Sequence, residues 1–399
     1  MFPERRVKAM RGRRKQPKIC FALRFFPKYF LGGAELQSYL IARHMLAEGW
    51  SVHFTTEDCG QPTAKLENED GIWVHKLKRT RFFNPIRCWS FYRELIRIGA
   101  DIYYQRGGWE YTFMISLAAK ALGKKFVWGT SLTSDCVGNK FRGSFRDEGV
   151  KGVKRSMLWP DAWMRDALVS LGRKRADVIV VQDESQRVAM KNTLGEESVV
   201  IKTGHPIPES PERKEQPPVV VWIANAKPWK QPETFIELAR ACNDLQSRFL
   251  LVGGRATLPY QRHLMRRSER LNNLEVRWAV PLQRTNELLS KASLLVNTST
   301  REGFPNTFVQ AWLRETPVVS LALDPDGVLK RERIGIRSGS FRRMVEDVRR
   351  LVRDDSIRRE MGKRARAYAV REHNLADKLE QYAHLFENLC HESGMVQST

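Results

Sequence analysis

Thr300-Arg-Glu-Gly-Phe-Pro-Asn-Thr-Phe-Val-Gln-Ala-Trp-Leu-Arg-Glu-Thr-Pro-Val-Val319 is the stretch that decides how the chain folds. Two apolar runs flank or overlap it, Leu294-Leu-Val-Asn297 and Val318-Val-Ser-Leu321, and each has the length of a buried strand. Between them Phe308, Val309, Trp312 and Leu313 recur at helical spacing, which predicts a mostly buried helix from about Pro305 to Glu315. Pro305 suits the first helical turn, where a missing N–H costs nothing. A helix entered through Glu302-Gly-Phe-Pro305 leaves the amides of Asn306 and Thr307 unpaired at its positive end. Glu302 stands before that end and Gln310 one turn inside, so polar groups flank an anion site of the kind a diphosphate needs.

Composition sets the limits around this unit. The 399 residues, 42% of them hydrophobic, suffice for two domains with cores of their own. No run of eighteen apolar residues occurs, so no transmembrane helix is expected. The basic N-terminus has no apolar segment behind it, which argues against a signal peptide. The six cysteines (Cys20, Cys59, Cys88, Cys136, Cys242, Cys390) are scattered without a C-x-x-C pair. They predict reduced, mostly buried thiols of a cytoplasmic protein, with neither a zinc site nor a disulfide framework. The net charge of +23 is the unusual value. Residues 1–18 hold eight Lys or Arg against one Glu, and the rest of the excess is dispersed, as at Arg262-Arg266-Arg267-Arg270 and Arg349-Arg350-Arg353. Such an excess favours anionic partners, whether lipid head groups, nucleic acid or phosphorylated ligands. The plainer alternative is a soluble protein that is merely basic.

In chain order, residues 1–17 are charged and aperiodic, which predicts a disordered basic arm. Strands are expected at 19–25, 52–56, 72–77, 102–106, 126–130, 178–182 and 199–202. Helices are expected from Gly32-Gly33 to Gly49, over 85–98 and 111–122, near 162–175, and after 182. Pro206–Pro218 has five prolines and no apolar period, and reads as an interdomain linker. The alternation then restarts, with strands at 219–224, 249–252, 274–278, 294–297 and 318–321. The intervening helices are expected at 232–245, 259–271 and 282–291, followed by three at the C-terminus, 341–353, 356–372 and 376–390. The pattern predicts two doubly wound parallel-sheet α/β domains whose strand C-terminal edges face a shared cleft. No internal repeat of solenoid length is present.

The ordered pieces are strand–Gly32-Gly33-Ala34-Glu35–helix, Ala176-Asp-Val-Ile-Val-Val-Gln182, the linker, Lys227-Pro-Trp-Lys230-Gln-Pro, Leu251-Val-Gly253-Gly254 and Glu302-Gly303-Phe304-Pro305. In this order and spacing the chain resembles the family 4 (group 1) glycosyltransferases of GT-B fold, over roughly residues 19–390. The resemblance implies an acceptor-binding Rossmann-like domain (18–205), the linker (206–218), and a nucleotide-sugar-binding Rossmann-like domain (219–372). A C-terminal helix and tail (373–399) would return toward the first domain. It also implies a retaining, metal-independent transfer from a nucleoside diphosphate sugar, with no cofactor and no metal. Family members carry a second acid eight positions after the first, and here that position is Gln310. An amide there still forms hydrogen bonds to ribose hydroxyls but loses the charge-assisted ones.

By this resemblance Glu302 contacts the donor sugar, against the plain alternative of an acid near a helix dipole. Gly303, Phe304, Pro305, Asn306 and Thr307 form the diphosphate corner, with Asn306 as a simple N-cap the compatible alternative. Lys230 would neutralise the departing diphosphate. The family's companion Arg is replaced by Asn225, and Lys227 is the candidate substitute for the lost charge. Gly253 follows a strand, and Ala279 and Val280 stand where the family holds the base. Gly32 and Gly33 allow close approach of a phosphate or acceptor. Arg106 and Asp135 are expected to face the cleft, Asp135 orienting or deprotonating the acceptor or else closing an Asx-turn. His205 is expected to pack in a loop, and Trp109, Trp128, Trp159 and Trp163 to pack in the core, with stacking on an acceptor sugar as the alternative.

The expected function is sugar transfer to a saccharide or lipid-linked acceptor in cell-surface polysaccharide or glycoconjugate synthesis. The rivals are a nucleotide-sugar isomerase or epimerase of the same fold and a degenerate, non-catalytic binding protein. The basic arm points to an anionic membrane surface at the cytoplasmic face; nucleic acid is not favoured as a partner.

Overall fold

Valine-, isoleucine- and phenylalanine-rich runs suit strands buried on both faces, and here they build two parallel sheets. The computed structural model describes residues 16–29, 32–58, 65–78, 84–147, 152–210 and 212–392. The basic arm, apart from Gln16 and Pro17, lies outside them, as does Cys59. The first sheet contains β1 (Lys18–Ala22), β2 (Ser51–Glu57), β3 (Leu66–Glu69), β4 (Ile72–Leu77), β5 (Ile102–Arg106), β6 (Lys125–Gly129), β7 (Val178–Val181) and β8 (Val199–Val200). Their order is β3-β4-β2-β1-β5-β6-β7-β8. The second contains β9 (Val219–Ala224), β10 (Arg248–Gly253), β11 (Leu274–Trp278), β12 (Leu294–Asn297), β13 (Val318–Ser320) and β14 (Gly335–Arg337). Their order is β11-β10-β9-β12-β13-β14. Each order reverses beside the domain's first strand, between β1 and β5 and between β9 and β12. At such a reversal the loops leave in opposite directions and a crevice opens at the strand C-termini.

Two elements depart from the expected alternation. β3 pairs antiparallel with β4 through Asp70-Gly71, both at positive φ (50° and 89°). Its sequence, Leu66-Glu-Asn-Glu69, has one apolar residue and therefore no strand signature. β14 is three residues long and equally hard to read. The helix expected from Pro305 to Glu315 is shorter, Asn306–Trp312, because Glu315 turns to φ 55° and the chain enters β13 through Thr316-Pro317. The helix expected near Ala162–Arg175 begins ten residues earlier and runs Gly152–Arg173, with Pro160 inside it. No helix among the described residues is long and apolar enough to cross a membrane.

The helix Asn306–Trp312 is seated by aromatic packing. Trp312 is fully buried, with Phe304, Phe308 and Tyr368 around it at ring separations of 6.1, 5.6 and 5.6 Å. The C-terminal helix Leu375–Glu392 places Leu379, Tyr382, Phe386 and Leu389 in the same cluster as Phe21, Phe54 and Tyr104 of the first sheet. The chain therefore passes between the domains twice, near His205 and near His373. The two passages are bonded to each other, His205 N–H to the His373 carbonyl (3.0 Å) and Leu375 N–H to the His205 carbonyl (3.2 Å). The proline-rich linker is pinned to the second domain. Lys214 Nζ donates to the carbonyls of Ser290 (2.9 Å) and Arg314 (2.7 Å) and to Thr316 Oγ1 (2.7 Å).

His205 and His373 are buried (3% and 0% exposed) and bonded as neutral rings. His205 Nε2 lies 2.8 Å from Asn306 Oδ1, and His373 Nδ1 lies 2.7 Å from the Thr203 carbonyl. Loss of solvation pushes the His205 ring down to about 4, against a smaller opposing effect of the Asn306 hydrogen bond. The same burial pushes His373 down to about 3. Both folded values are depressed below the unfolded one near 6.5. The unfolded chain therefore binds protons first, and stability present above pH 6.5 is lost as pH falls toward 4. At pH 5.5 each buried histidine withdraws about 1.4 kcal/mol relative to pH 7.5. Thermal melts at the two pH values are expected to show a clear fall in Tm. A His205→Gln variant is expected to show a smaller fall than wild type, and an equal fall would remove His205 from the account.

Candidate active site at the domain interface

The loops that leave the second sheet at its reversal carry the charged residues of the site. β9 leads through Asn225-Ala-Lys227 into a single 3-10 turn, Pro228–Lys230. β12 leads through Thr298–Phe304 into the helix Asn306–Trp312. Backbone and hydroxyl contacts tie the two loops. Thr300 N–H donates to the Trp229 carbonyl (2.8 Å), and Thr298 Oγ1 donates to the Lys230 carbonyl (2.7 Å). Trp222, fully inside the core, holds Thr298 Oγ1 from behind through its indole N–H (2.9 Å). With the loops so fixed, the Lys230 ammonium and the Glu302 carboxylate form a direct ion pair, their side chains 19% and 11% exposed. Lys227 and Arg301 lie over the Trp229 ring at 4.8 and 4.6 Å, which adds two more cations to the same corner.

The first domain grips the Glu302–Asn306 segment. Thr133 donates its N–H (3.0 Å) and its hydroxyl (2.7 Å) to the Glu302 carbonyl. Phe304 N–H donates to Gln182 Oε1 at 3.3 Å. A Cβ on Gly303 would stand 2.4 Å from the Ser131 carbonyl oxygen and 2.7 Å from Gln182 Nε2, so only glycine permits this approach. Asn306 Oδ1 accepts from Gln37 Nε2 (3.0 Å) and from His205, while its Nδ2 fills the space a Cβ on Gly33 would need. Asn306 is thus not the N-cap, a position held by Pro305; its side chain bridges the domains instead. Thr307 is partly exposed in the same first turn. Gln37, Thr133, Gln182 and His205 were not among the expected site residues. A single sequence shows no signal for them beyond their places just after strands or at a helix start.

The remaining expected residues divide clearly. Asn225 Oδ1 accepts from Arg255 N–H (2.9 Å) and occupies the space next to Gly254, so it shapes the loop after β10. Gly253 lies under the Trp278 ring, where a Cβ would sit 2.3 Å from a ring carbon. Ala279 takes φ 54° and bonds its N–H to the Gly253 carbonyl (2.9 Å), which places Val280 at the same sheet edge. Gln310 is 5% exposed, and its carboxamide has no hydrogen-bond partner among the described residues. Gly32 is the N-cap residue of the first helix, Gly33–Ala47.

Two expectations need correction. Asp135 does not present its carboxylate to the cleft. Its side chain is fully buried and paired with Lys140 (2.9 Å), and it accepts from Ser131 N–H (2.8 Å), Ser131 Oγ (2.9 Å) and Leu132 N–H (2.9 Å). Burial alone would raise its carboxyl, but the Lys140 charge and those amides outweigh it and hold the group below its ordinary value. A carboxylate so engaged is a poor proton acceptor; it fixes the turn that delivers Thr133 to Glu302. Arg106 is likewise turned away, 7% exposed and bonded to the phenols of Tyr104 and Tyr382. Trp109 and Trp128 are in the core as expected, whereas Trp159 and Trp163 are 38% and 54% exposed.

Known proteins bear on this geometry. The family model described as "Glycosyl transferases group 1" matches residues 217–354. Comparison with curated protein sequences gives no match. Among solved structures, sucrose-phosphate synthase from Thermosynechococcus elongatus superposes with a TM-score of 0.71 at 14% identity, covering 94% of this chain and 99% of that one. Anabaena HepE in complex with UDP and glucose gives 0.69 at 17% identity, covering 94% and 100%. WaaG, a glycosyltransferase involved in lipopolysaccharide biosynthesis, gives 0.69 at 16% identity, covering 92% and 99%. The chain has the two-domain GT-B fold, and residues 217–354 of its second domain are similar to the group 1 glycosyltransferases.

Proposed function

We propose that this protein transfers a sugar, with retention and without a metal ion, from a nucleoside diphosphate sugar to a saccharide or lipid-linked acceptor. The observation that carries the proposal is the Lys230–Glu302 pair at the strand-order reversal of the second sheet. A cation held there can take up the charge of a departing diphosphate, and a fixed carboxylate beside it can accept hydrogen bonds from sugar hydroxyls. In the proposed step the bond between the sugar's anomeric carbon and the phosphate oxygen breaks. A new bond to the acceptor oxygen forms on the same face, and the acceptor proton passes to the departing phosphate. Lys230, with Lys227 and the amides of Asn306 and Thr307 nearby, stabilises the charge on that phosphate. Gly303, Phe304 and Pro305 position the amides; Gly253, Ala279 and Val280 border the base, and Gln310 meets the ribose. Asn225 shapes the wall beside Gly254, and Gly32 and Gly33 leave room on the acceptor side. Asp135 is a positioning residue that acts through Ser131–Thr133. HepE was solved with UDP and glucose, which makes UDP-sugars the first donors to test. Assembly of cell-surface polysaccharide or glycoconjugate at the cytoplasmic face is the setting that best suits this chemistry and the chain's charge of +23.

The decisive measurement is nucleotide release from a panel of nucleotide sugars. Wild type is expected to release nucleotide with at least one donor, and Lys230→Ala and Glu302→Gln are each expected to lose about 100-fold or more in turnover. Unchanged turnover in Lys230→Ala would end its leaving-group role. An epimerised sugar without an acceptor would favour the isomerase, and no release with any donor would favour a binding protein.

Gln310 supplies a second test. Gln310→Glu introduces a buried carboxylate with no partner, so Tm without donor is expected to fall by an amount equivalent to about 1–3 kcal/mol. Added donor nucleotide is expected to restore it, with a several-fold tighter Kd from charge-assisted bonds to the ribose. A variant that loses stability and gains no affinity would place Gln310 away from the ribose.

A further inference from the structure

The helix Glu184–Leu194 of the first domain follows β7, and its start is capped from both domains. The first four N–H groups of a helix have no partner inside it. Its own N-cap, Asp183, accepts from Gln186 N–H at 2.8 Å. The two amides before Gln186 bond across to the second domain. Asp326 Oδ2 accepts from Glu184 N–H (3.1 Å), and Asp326 Oδ1 accepts from Ser185 N–H (2.7 Å) and from Ser185 Oγ (2.5 Å). A carboxylate at the positive end of a helix adds charge attraction to these bonds. Asp326 stands in the loop after β13 at φ 54°, with Gly327 behind it at 65°. A left-handed residue other than glycine persists where its surroundings hold it. Here Asp324 Oδ1 accepts from Leu329 N–H (2.8 Å), Gly327 N–H donates to the Asp324 carbonyl (3.1 Å), and Arg331 donates to the Asp326 carbonyl (2.5 Å). The second domain thus holds the carboxylate in position with contacts of its own.

The helix start is in turn tied to the Glu302 corner. Gln186 Oε1 accepts from Thr130 Oγ1 (2.6 Å) and from Gln182 N–H (3.1 Å), and Gln182 Nε2 donates to the Thr130 carbonyl (3.0 Å). Residues 182–186 and the loop that carries Ser131–Thr133 are therefore one bonded piece, and it is the piece that meets Glu302, Gly303 and Phe304. A pull on the helix start acts on that same approach. The two acids at the helix start also act on each other: burial pushes the Asp183 carboxyl up to about 6, and the Asp326 charge adds to the rise. Attraction to the amides is opposed by a like charge, which keeps the contact releasable. We infer that Asp326 is an interdomain latch, a positioning residue that holds the cleft closed by completing the cap of a helix in the opposite domain.

Amide hydrogen exchange on the full-length protein without ligand tests the latch. Asp326→Ala is expected to speed exchange about tenfold at Glu184 and Ser185 and also at Thr133 and Phe304. The last two amides bond across the interface, to the Glu302 carbonyl and to Gln182. Hydrogen bonds weaken steeply with misalignment, so these amides report opening even near the hinge. Asp326→Asn, which keeps an acceptor and loses the charge, is expected to fall between Asp326→Ala and wild type. Glu184→Pro/Ser185→Ala opens the latch from the first domain and leaves Asp326 in place. Proline suits the first helical position after the extended Asp183, so the helix itself is expected to persist. This variant is expected to speed exchange at Thr133 and Phe304 as Asp326→Ala does, with exchange in β1 and β9 as in wild type. Faster exchange confined to Glu184 and Ser185 would reduce Asp326 to a local cap and overturn the inference. So would unchanged exchange at Thr133 and Phe304 in Glu184→Pro/Ser185→Ala, whatever Asp326→Ala does to the stability of its own loop. No donor is present in these measurements, so none of their results touches the transfer proposal, which stands or falls on nucleotide release.

Discussion

Where the loop after β12 meets the first domain, the Ser131 carbonyl oxygen stands 2.4 Å from the point at which a side chain on Gly303 would begin. Backbone meets backbone there, and the other contacts of the interface follow from that approach. It brings the Glu302 carbonyl within reach of both donors of Thr133, Phe304 N–H within reach of Gln182, and Asn306 between Gln37 and His205. Behind the loop, the packing of Phe304 against Trp312 and His373 keeps the segment from retreating into its own domain. The Lys230–Glu302 pair is then held from two sides. The 3-10 turn fixes the lysine, and the opposite domain fixes the backbone of the glutamate.

Much of this was legible in the sequence because it rests on strong, local signals. Long β-branched runs separated by helical periods specify two parallel sheets, and Glu302-Gly-Phe-Pro305 between Leu294–Asn297 and Val318–Val319 marks a strand–turn–helix corner. The ion pair follows once the two strands are neighbours, since Lys230 and Glu302 both stand a few residues past a strand end. What stayed hidden depends on partners distant in sequence. Asp135 could be placed near the site, but not the three donors and the lysine that surround its carboxylate. Arg106 ends a strand that points to the cleft, yet Tyr382, more than 270 residues away, draws it into the core beside the C-terminal helix. The long helix Gly152–Arg173 defied its own pattern: Pro160 and the glycine at its start suggest a break, and the apolar residues that would have announced it face outward.

Asn225 and Gln310 show how one substitution can carry two meanings. Asn225 lacks the charge of an arginine, but its side-chain oxygen organises the backbone at Gly254 and Arg255, and Lys227 and Arg301 already gather around Trp229. The positive character of the corner is redistributed between loops. Gln310, by contrast, meets no partner among the described residues, and a neutral amide tolerates burial without a counter-charge better than a carboxylate does. The amide that would give up a charge-assisted contact in the proposed site is thus the group that costs less to bury there.

The two passages of the chain between domains have a mechanical consequence. Because His205 and His373–Leu375 are hydrogen-bonded side by side, and Lys214 anchors the following linker to the second domain, the freedom between domains is confined to one short hinge. Rotation about that hinge displaces the atoms nearest it least. His205, part of the hinge, is itself bonded to Asn306, so the start of the helix Asn306–Trp312 sits close to the pivot. Opening of the cleft would therefore leave the Glu302–Asn306 corner nearly in place while the far rim swings.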